Sequence, residues 1–234
     1  MKNLLDGLRA ILLDAGNTLV GLDFPALAQL LTDLGYPATA EDLVRAEYGG
    51  RAAVNKQILE GVEIRDVDRA PLYFGAILKR CRIPEDQIST VLDAFRAADK
   101  RFGLWRIVPP GTHEMLRSFK ERGFKIGVIS NADGRVAQLL ERLELLPLLD
   151  IAIDSNRVGI EKPDPRIFKL ALDQVGVDPH EAVYVGDIYA IDVLGARRAG
   201  LKSILIDPLM LEDVDCPRIR SVTELPHLLS PIPF

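Results

Sequence analysis

The sequence predicts an α/β fold, a parallel sheet interrupted by an all-helical insert, and three observations carry that prediction. A short apolar run at 8–13, LRAILL, stops at Asp14 and is followed by Gly16 and Asn17, the pattern of a buried strand ending in a turn. From residue 112 onward, helical periodicity alternates with apolar runs of strand length, as right-handed strand–helix–strand units require. Between the two, residues 23–101 carry helical spacing. The 234 residues exceed the ~100–150 of a typical domain and fall short of two, so one core with a smaller appendage is expected.

The insert opens with Asp23 as a cap, ahead of Phe24, Leu27, Leu31 and Leu34 at helical spacing, and this helix closes at Gly35 and Pro37. Further helices are expected at 40–60, 68–81 and 85–101, the last with Val91, Leu92, Phe95, Ala98 and Phe102 on one face. The stretch Arg45, Glu47, Tyr48, Gly49, Gly50, Arg51 is interrupted by glycine and reads as a kink or turn. Trp105 and Arg106 read as hinge packing where the chain returns to the core. After Pro109, Pro110 and Gly111, strands are expected at 125–130, 150–153, 182–186 and 203–207, with helices near 112–122, 133–143, 165–175 and 190–199. The third of these helices is the best signed, with Asp164 as cap, Pro165 in the first turn and Gly176 as stop. The expected domains are 1–20 with 105–234 as the core and 21–104 as the insert, a piece placed to act as a lid.

Composition excludes several classes. At 48% hydrophobic and 27% charged residues the chain can bury a real core, which argues against disorder. Twenty-nine basic against 34 acidic residues leave a net charge of -5, so no broad basic field draws in nucleic acid or anionic lipid. Cys81 and Cys216 form no CxxC pair, which suggests neither a disulfide framework nor a thiolate zinc site and fits a reducing cytoplasm. The longest apolar candidate, LELLPLLDIAI, is broken by Glu144, Pro147 and Asp150, far from the ~20 residues of a membrane span. Lys2 is followed by Asp6 before any apolar stretch, so no signal segment is expected. His113, His180 and His227 are too scattered for a metal cluster, and neither GxGxxG nor GK[ST] is present.

Ligands of open parallel sheets bind beyond the carboxyl ends of the strands. Those ends carry Asp14, Gly16, Asn17 and Thr18, then Ser130 and Asn131, then Asp187 and Asp192, with Lys162 in a loop before a helix. Carboxylates converging there would repel without a cation, and oxygen ligands with no His or Cys nearby suit Mg²⁺ rather than zinc. Lys162, Ser130 and Asn131 supply donors for an anion, the combination a phosphoryl group bridged to Mg²⁺ needs. Singly, each has a plainer reading. Asp14 and Asp187 could cap turns or helices, Asp192 could be a first-turn acid, Ser130 and Asn131 could form a turn, and Lys162 could be a solvated surface lysine. Their joint occurrence, in one order at strand ends of one sheet, favours a site.

These residues lie in segments that resemble the motifs of the haloacid dehalogenase-like (HAD) hydrolase superfamily over nearly the whole chain. LLDAGNTLV is similar to its first motif, ISN to its second, EKPDPRIF to its third and VGDIYAIDVLGARRAG to its fourth. The insert after the first motif is similar to the C1-type cap of subfamily I. The resemblance implies a Rossmann-like core and a small phosphorylated substrate hydrolysed through an aspartyl-enzyme intermediate. By the same resemblance Asp14 is the nucleophile and a metal ligand, Gly16 offers its carbonyl to Mg²⁺, and Asp187 completes the protein ligands with Asp192 in support. Ser130 and Lys162 would hold the phosphoryl oxygens, Lys162 also pairing with Asp14, and the Asn131 amide would add its donor to the same phosphate.

One departure matters. Most phosphatases of the superfamily carry a second Asp two residues after the nucleophile, where this chain has Gly16. Glycine keeps the carbonyl and loses the proton transfer, a contribution of typically ~100 to 10,000-fold in rate. Asp23 or Glu47 could supply it, as could a substrate whose leaving group is already acidic. Dehalogenases of the superfamily lack that acid, but they need no Mg²⁺ and no acidic pair, whereas Asp187 and Asp192 are retained. A phosphonate-cleaving chemistry would need Lys56, Lys79 or Lys100 buried. An attenuated hydrolase acting as a binding protein would have no need of Asp14, Ser130, Lys162 and Asp187 together.

Overall fold

The computed structural model describes residues 7–62 and 66–229. Lys2 and Asp6, on which the absence of a signal segment was argued, lie outside the described residues, as does 230–234 of the expected core.

The first strand, β1 (Ala10–Leu13), is buried along its whole length, which is why it reads as an unbroken apolar run. After it, β2 (Gly21–Leu22) leads into α1 (Phe24–Asp33), whose cap is Asp23, its carboxylate accepting from the Ala26 N–H. Then come α2 (Ala40–Leu59), opened by a Thr39–Asp42 capping box, α3 (Asp66–Arg80), α4 (Ile88–Phe102) and β3 (Trp105–Ile107). The chain continues through α5 (Thr112–Glu121), β4 (Lys125–Ser130), α6 (Val136–Arg142), β5 (Ile151–Asp154), α7 (Ser155–Val158) and α8 (Pro165–Val175). It closes with β6 (Ala182–Gly186), a π-turn at Tyr189–Val193, α9 (Leu194–Arg198), β7 (Lys202–Ile206), β8 (Arg218–Ile219) and α10 (Leu225–Leu229).

Six strands form one parallel sheet in the order β5-β4-β1-β6-β7-β8. Its winding reverses at β1, which lies between β4 and β6, so the switch point falls at the carboxyl end of β1. Leu13 stands opposite Val128 on one side and Val185 on the other, and Asp14, Ser130 and Asp187 therefore leave the sheet side by side. Against it α8 buries Phe168, Leu172 and Val175 together with Leu12, Ile129 and Tyr184. Gly127 is required by close approach: a Cβ there would lie 2.6 Å from the Ile151 side chain and 2.8 Å from Leu12.

The chain divides into two compact units, 1–21 with 108–234 and 22–107. The second departs from the sequence reading in two places. It is not all-helical, because its two ends pair as β2 and β3, and that pairing carries Trp105–Ile107 into the insert rather than the core. Within this unit Arg106 pairs with Asp23, its Nε lying 2.6 Å from Asp23 Oδ2. The glycine-interrupted stretch forms no turn, since α2 runs through it unbroken. Those glycines make room instead, a Cβ on Gly49 falling 2.5 Å from the Arg80 side chain and one on Gly50 2.7 Å from the Tyr73 ring. No described helix is long and apolar enough to cross a membrane.

Candidate active site

Each side chain of the site is placed by a strand end or by the turn that follows. Asp14 leaves β1 with its N–H bonded to the Val185 carbonyl at 2.8 Å, and residues 15–20 fold back in a turn whose N–H groups return to the Ala15 carbonyl. Asn17 takes a positive φ of 49° there, a conformation Asn tolerates, and its Nδ2 donates to Asp187 Oδ2 at 3.0 Å. Gly16 sits in the same turn, bridged to Val20. At the end of β6 the π-turn carries Asp192 back over Gly186, and its Oδ2 accepts the N–H groups of Asp187 at 3.1 Å and Ile188 at 2.9 Å. A side chain at 186 would forbid this, its Cβ lying 2.4 Å from the Asp192 Cγ.

Lys162 stands at the centre and is 2% exposed. Its ammonium lies 2.8 Å from Asp14 Oδ1, 2.7 Å from Asp192 Oδ1 and 2.8 Å from the Tyr184 hydroxyl. An ammonium has three N–H groups, and all three are therefore engaged within the protein. Its main chain is held as firmly, since Asn131 Nδ2 donates to the Lys162 carbonyl at 2.9 Å and Asn131 Oδ1 accepts from its N–H at 2.8 Å. One N–H of the Asn131 amide and its oxygen are thus spent on Lys162, which leaves its second N–H as the donor expected for phosphate. Ser130 is buried beside it at the end of β4.

Burial pushes the Asp14 carboxyl up from 3.8 to about 6, against the pull of the Lys162 ammonium and with a further push from the Asp192 charge. Burial also works against the charge on Lys162, but the carboxylates of Asp14 and Asp192 hold it above the usual lysine value. The Tyr184 phenol is driven well above 10 by burial and by the charges of Asp192 and Asp14, so it stays protonated.

Asp14, Asp187 and Asp192, all buried, bring one carboxylate oxygen each within 4.8 Å of one another. The donor set is oxygen only, which suits a hard cation. Three carboxylates and one ammonium also leave a surplus of two negative charges when all are ionised, a burden a divalent ion would relieve. The residues present therefore fit Mg²⁺.

Three contributors escaped the sequence reading. Tyr184 read as strand core, although a buried tyrosine hydroxyl needs a partner and so carries a signal of its own. Asn17 stood among the strand-end groups without a role. Asp154 carried no signal: from the end of β5 it accepts from the N–H groups of Gly134, Val136 and Asn156, which fixes the loop that follows Asn131. The two carboxylates proposed to replace the missing acid are both engaged in the second unit. Glu47 accepts from Arg51 Nε at 2.7 Å and from the Tyr73 hydroxyl, and Asp23 pairs with Arg106 while capping α1.

A parallel α/β sheet with carboxylates and a buried lysine gathered at its switch point defines a Rossmann-like hydrolase class. The chain belongs to the haloacid dehalogenase-like hydrolases, whose family profile matches residues 8–200. It is 35% identical over 136 residues to haloacid dehalogenase-like hydrolase domain-containing protein 3 of Bos taurus, an alignment covering 56% of this chain and 53% of that one. The chain thus spans about half the length of the curated relatives it matches first. It is 28% identical over 212 residues, 88% of each chain, to a glyceraldehyde 3-phosphate phosphatase of Methanothermobacter thermautotrophicus. Among solved structures, the HAD-hydrolase YfnB of Bacillus subtilis, described as bound to magnesium, superimposes with a TM-score of 0.68 at 22% identity, covering 95% of this chain and 98% of that one.

Proposed function

We propose that this hydrolase is a Mg²⁺-dependent phosphatase that removes the phosphoryl group of a small phosphorylated metabolite through an aspartyl-phosphate on Asp14. The observation that carries the reading is the buried Asp14–Lys162 pair, 2.8 Å apart, inside a cluster of acidic oxygens. A carboxylate approaches a phosphate ester only if the charge of both is screened. Asp14, Asp187 and the Gly16 carbonyl would hold Mg²⁺, with Asp192 behind them tying Lys162 to the 187–188 loop. The bound ion would neutralise phosphoryl oxygens and the carboxylates together.

Asp14 Oδ1 is turned to Lys162, which leaves its other oxygen for phosphorus. That oxygen forms the new P–O bond while the ester P–O bond breaks and the substrate alcohol departs as its alkoxide. Water then attacks the acyl phosphate and releases inorganic phosphate, returning Asp14 as carboxylate. Ser130 would donate to a phosphoryl oxygen, and Asn131 would act indirectly by holding the main chain of Lys162. Gly16 offers no proton to the departing alkoxide. Esters of acidic alcohols, such as phenols, should therefore be cleaved faster than alkyl esters, by more than their own reactivity dictates.

The relatives named as phosphatases support the reading at the level of phosphomonoesters. Phosphate release from aryl phosphates and from a panel of metabolites, with and without Mg²⁺, tests it beside Asp14→Asn. The expected result is metal-dependent turnover that Asp14→Asn abolishes. Turnover no higher than that of the variant would overturn the reading, and chloride released from a 2-haloacid without metal would replace it with dehalogenation.

A further inference from the structure

We infer that Tyr184 is a positioning residue for Lys162: its hydroxyl, itself oriented by the Ile129 carbonyl, takes the third N–H of the ammonium and so aims the charge between Asp14 and Asp192. The kinetic consequence rests on the phosphatase reading; the placement of the ammonium does not.

The argument begins with the number of donors. The main chain of Lys162 is clasped by Asn131, and the four-carbon stem remains the only means of redirecting the charge. A lysine stem has rotatable bonds throughout, so within its buried surroundings the final direction of the head is fixed by its acceptors. Two of the three acceptors are carboxylates, and two points still leave the head free to swing about the line joining them. The Tyr184 hydroxyl is the third point, at 2.8 Å. Its own proton goes to the Ile129 carbonyl at 2.9 Å, which turns an oxygen lone pair toward the ammonium. The ring cannot drift, because it stands edge-on to Phe168 with centroids 4.9 Å apart at 84°. Ile129 immediately precedes Ser130, so the same hydroxyl links the lysine to the strand end that bears the expected phosphoryl donor.

Tyr184→Phe keeps the ring and its packing and removes only the oxygen, leaving one buried N–H of a charged group without an acceptor. The experiment uses metal-free protein labelled with ¹⁵N-lysine. The side-chain ammonium signal of Lys162 is identified by its loss in Lys162→Met, and exchange of its protons with water is followed. In the wild-type protein the exchange should be slow, and in Tyr184→Phe at least about fivefold faster. The same variant should turn over an aryl phosphate with kcat about tenfold lower and KM changed by less than about twofold.

Ser203→Ala, which removes from the strand beside β6 a buried hydroxyl that has no hydrogen-bond partner among the described residues, should leave both readouts unchanged. Fast exchange in the wild-type protein, or unchanged exchange in Tyr184→Phe, overturns the inference. So does faster exchange with an unchanged kcat, which would make the hydroxyl structural only. If the wild-type protein turns over no phosphate ester, the phosphatase reading fails and the exchange measurement still decides the placement of Lys162.

Discussion

Asn131 turns one N–H and the oxygen of its amide to the main chain of one residue thirty-one positions away. Two hydrogen bonds to a buried segment stabilise it by about 1–3 kcal/mol together, so Asn131→Ala should lower the stability of the chain by that amount in a denaturant titration. Because the residue acts through Lys162, kcat should fall while the KM for an aryl phosphate changes little. Gly16 makes the opposite case, an omission rather than a contact. Its φ lies outside the positive range that would require glycine, so the backbone there accepts another residue without strain. Gly16→Asp is expected to raise kcat on alkyl phosphates by about 10- to 100-fold and on aryl phosphates much less, since a phenolate leaves without a proton. Equal effects on both would show that proton donation does not limit the reaction. That Gly16 lacks an acid was legible in one letter of sequence. That the Asn131 amide clasps the main chain of Lys162 was not, since its partner is set by where two loops meet.

Among the elements, the segment from β6 through the π-turn shows how backbone geometry serves the site. A π-turn adds a residue to the helical repeat and is commonest where function demands an unusual side-chain direction. Here it lets Asp192 cap the N–H groups that follow Gly186 and reach Lys162 with its other oxygen. The element was read from sequence as the start of a helix at 190, because a helix and a π-turn share their composition. Gly186→Ala should cost about 1–3 kcal/mol, since the new methyl group would meet an Asp192 side chain that is pinned at both oxygens and cannot withdraw. Thermal melts and steady-state rates should fall together in this variant. By contrast α8 was legible to the residue. Its Asp164 cap, first-turn Pro165 and terminal Gly176 are local signals that tertiary contacts merely confirm.

For the whole molecule, the acidic cluster couples folding to pH. The Asp14 carboxyl binds its proton more tightly folded, with a pKa of about 6, than at its ordinary 3.8. A group whose pKa is raised by folding contributes stability that is complete below its unfolded value and is lost as pH rises through its folded value. The metal-free chain should therefore lose stability from this group between about pH 4 and pH 6. Mg²⁺ held by the same carboxylates would offset that loss, and protons would compete with it below about pH 6. The rise in Tm on adding Mg²⁺ should thus be larger at pH 7.5 than at pH 5, and Asp14→Asn should flatten the difference. An equal rise at both pH values would mean that the ion is held without Asp14.

What the sequence determined by itself was the order of the elements and the identity of the groups at the strand ends. Period, caps and turn residues act within a few positions of one another, and a parallel sheet brings successive carboxyl ends to one edge. Only the tertiary structure decided how those groups divide their hydrogen bonds. Lys162 meets Asp14 across 148 residues, Asp192 across 30 and Tyr184 across 22. No local pattern records such a meeting, because each side chain keeps the same composition and spacing whether its donors face a substrate or one another.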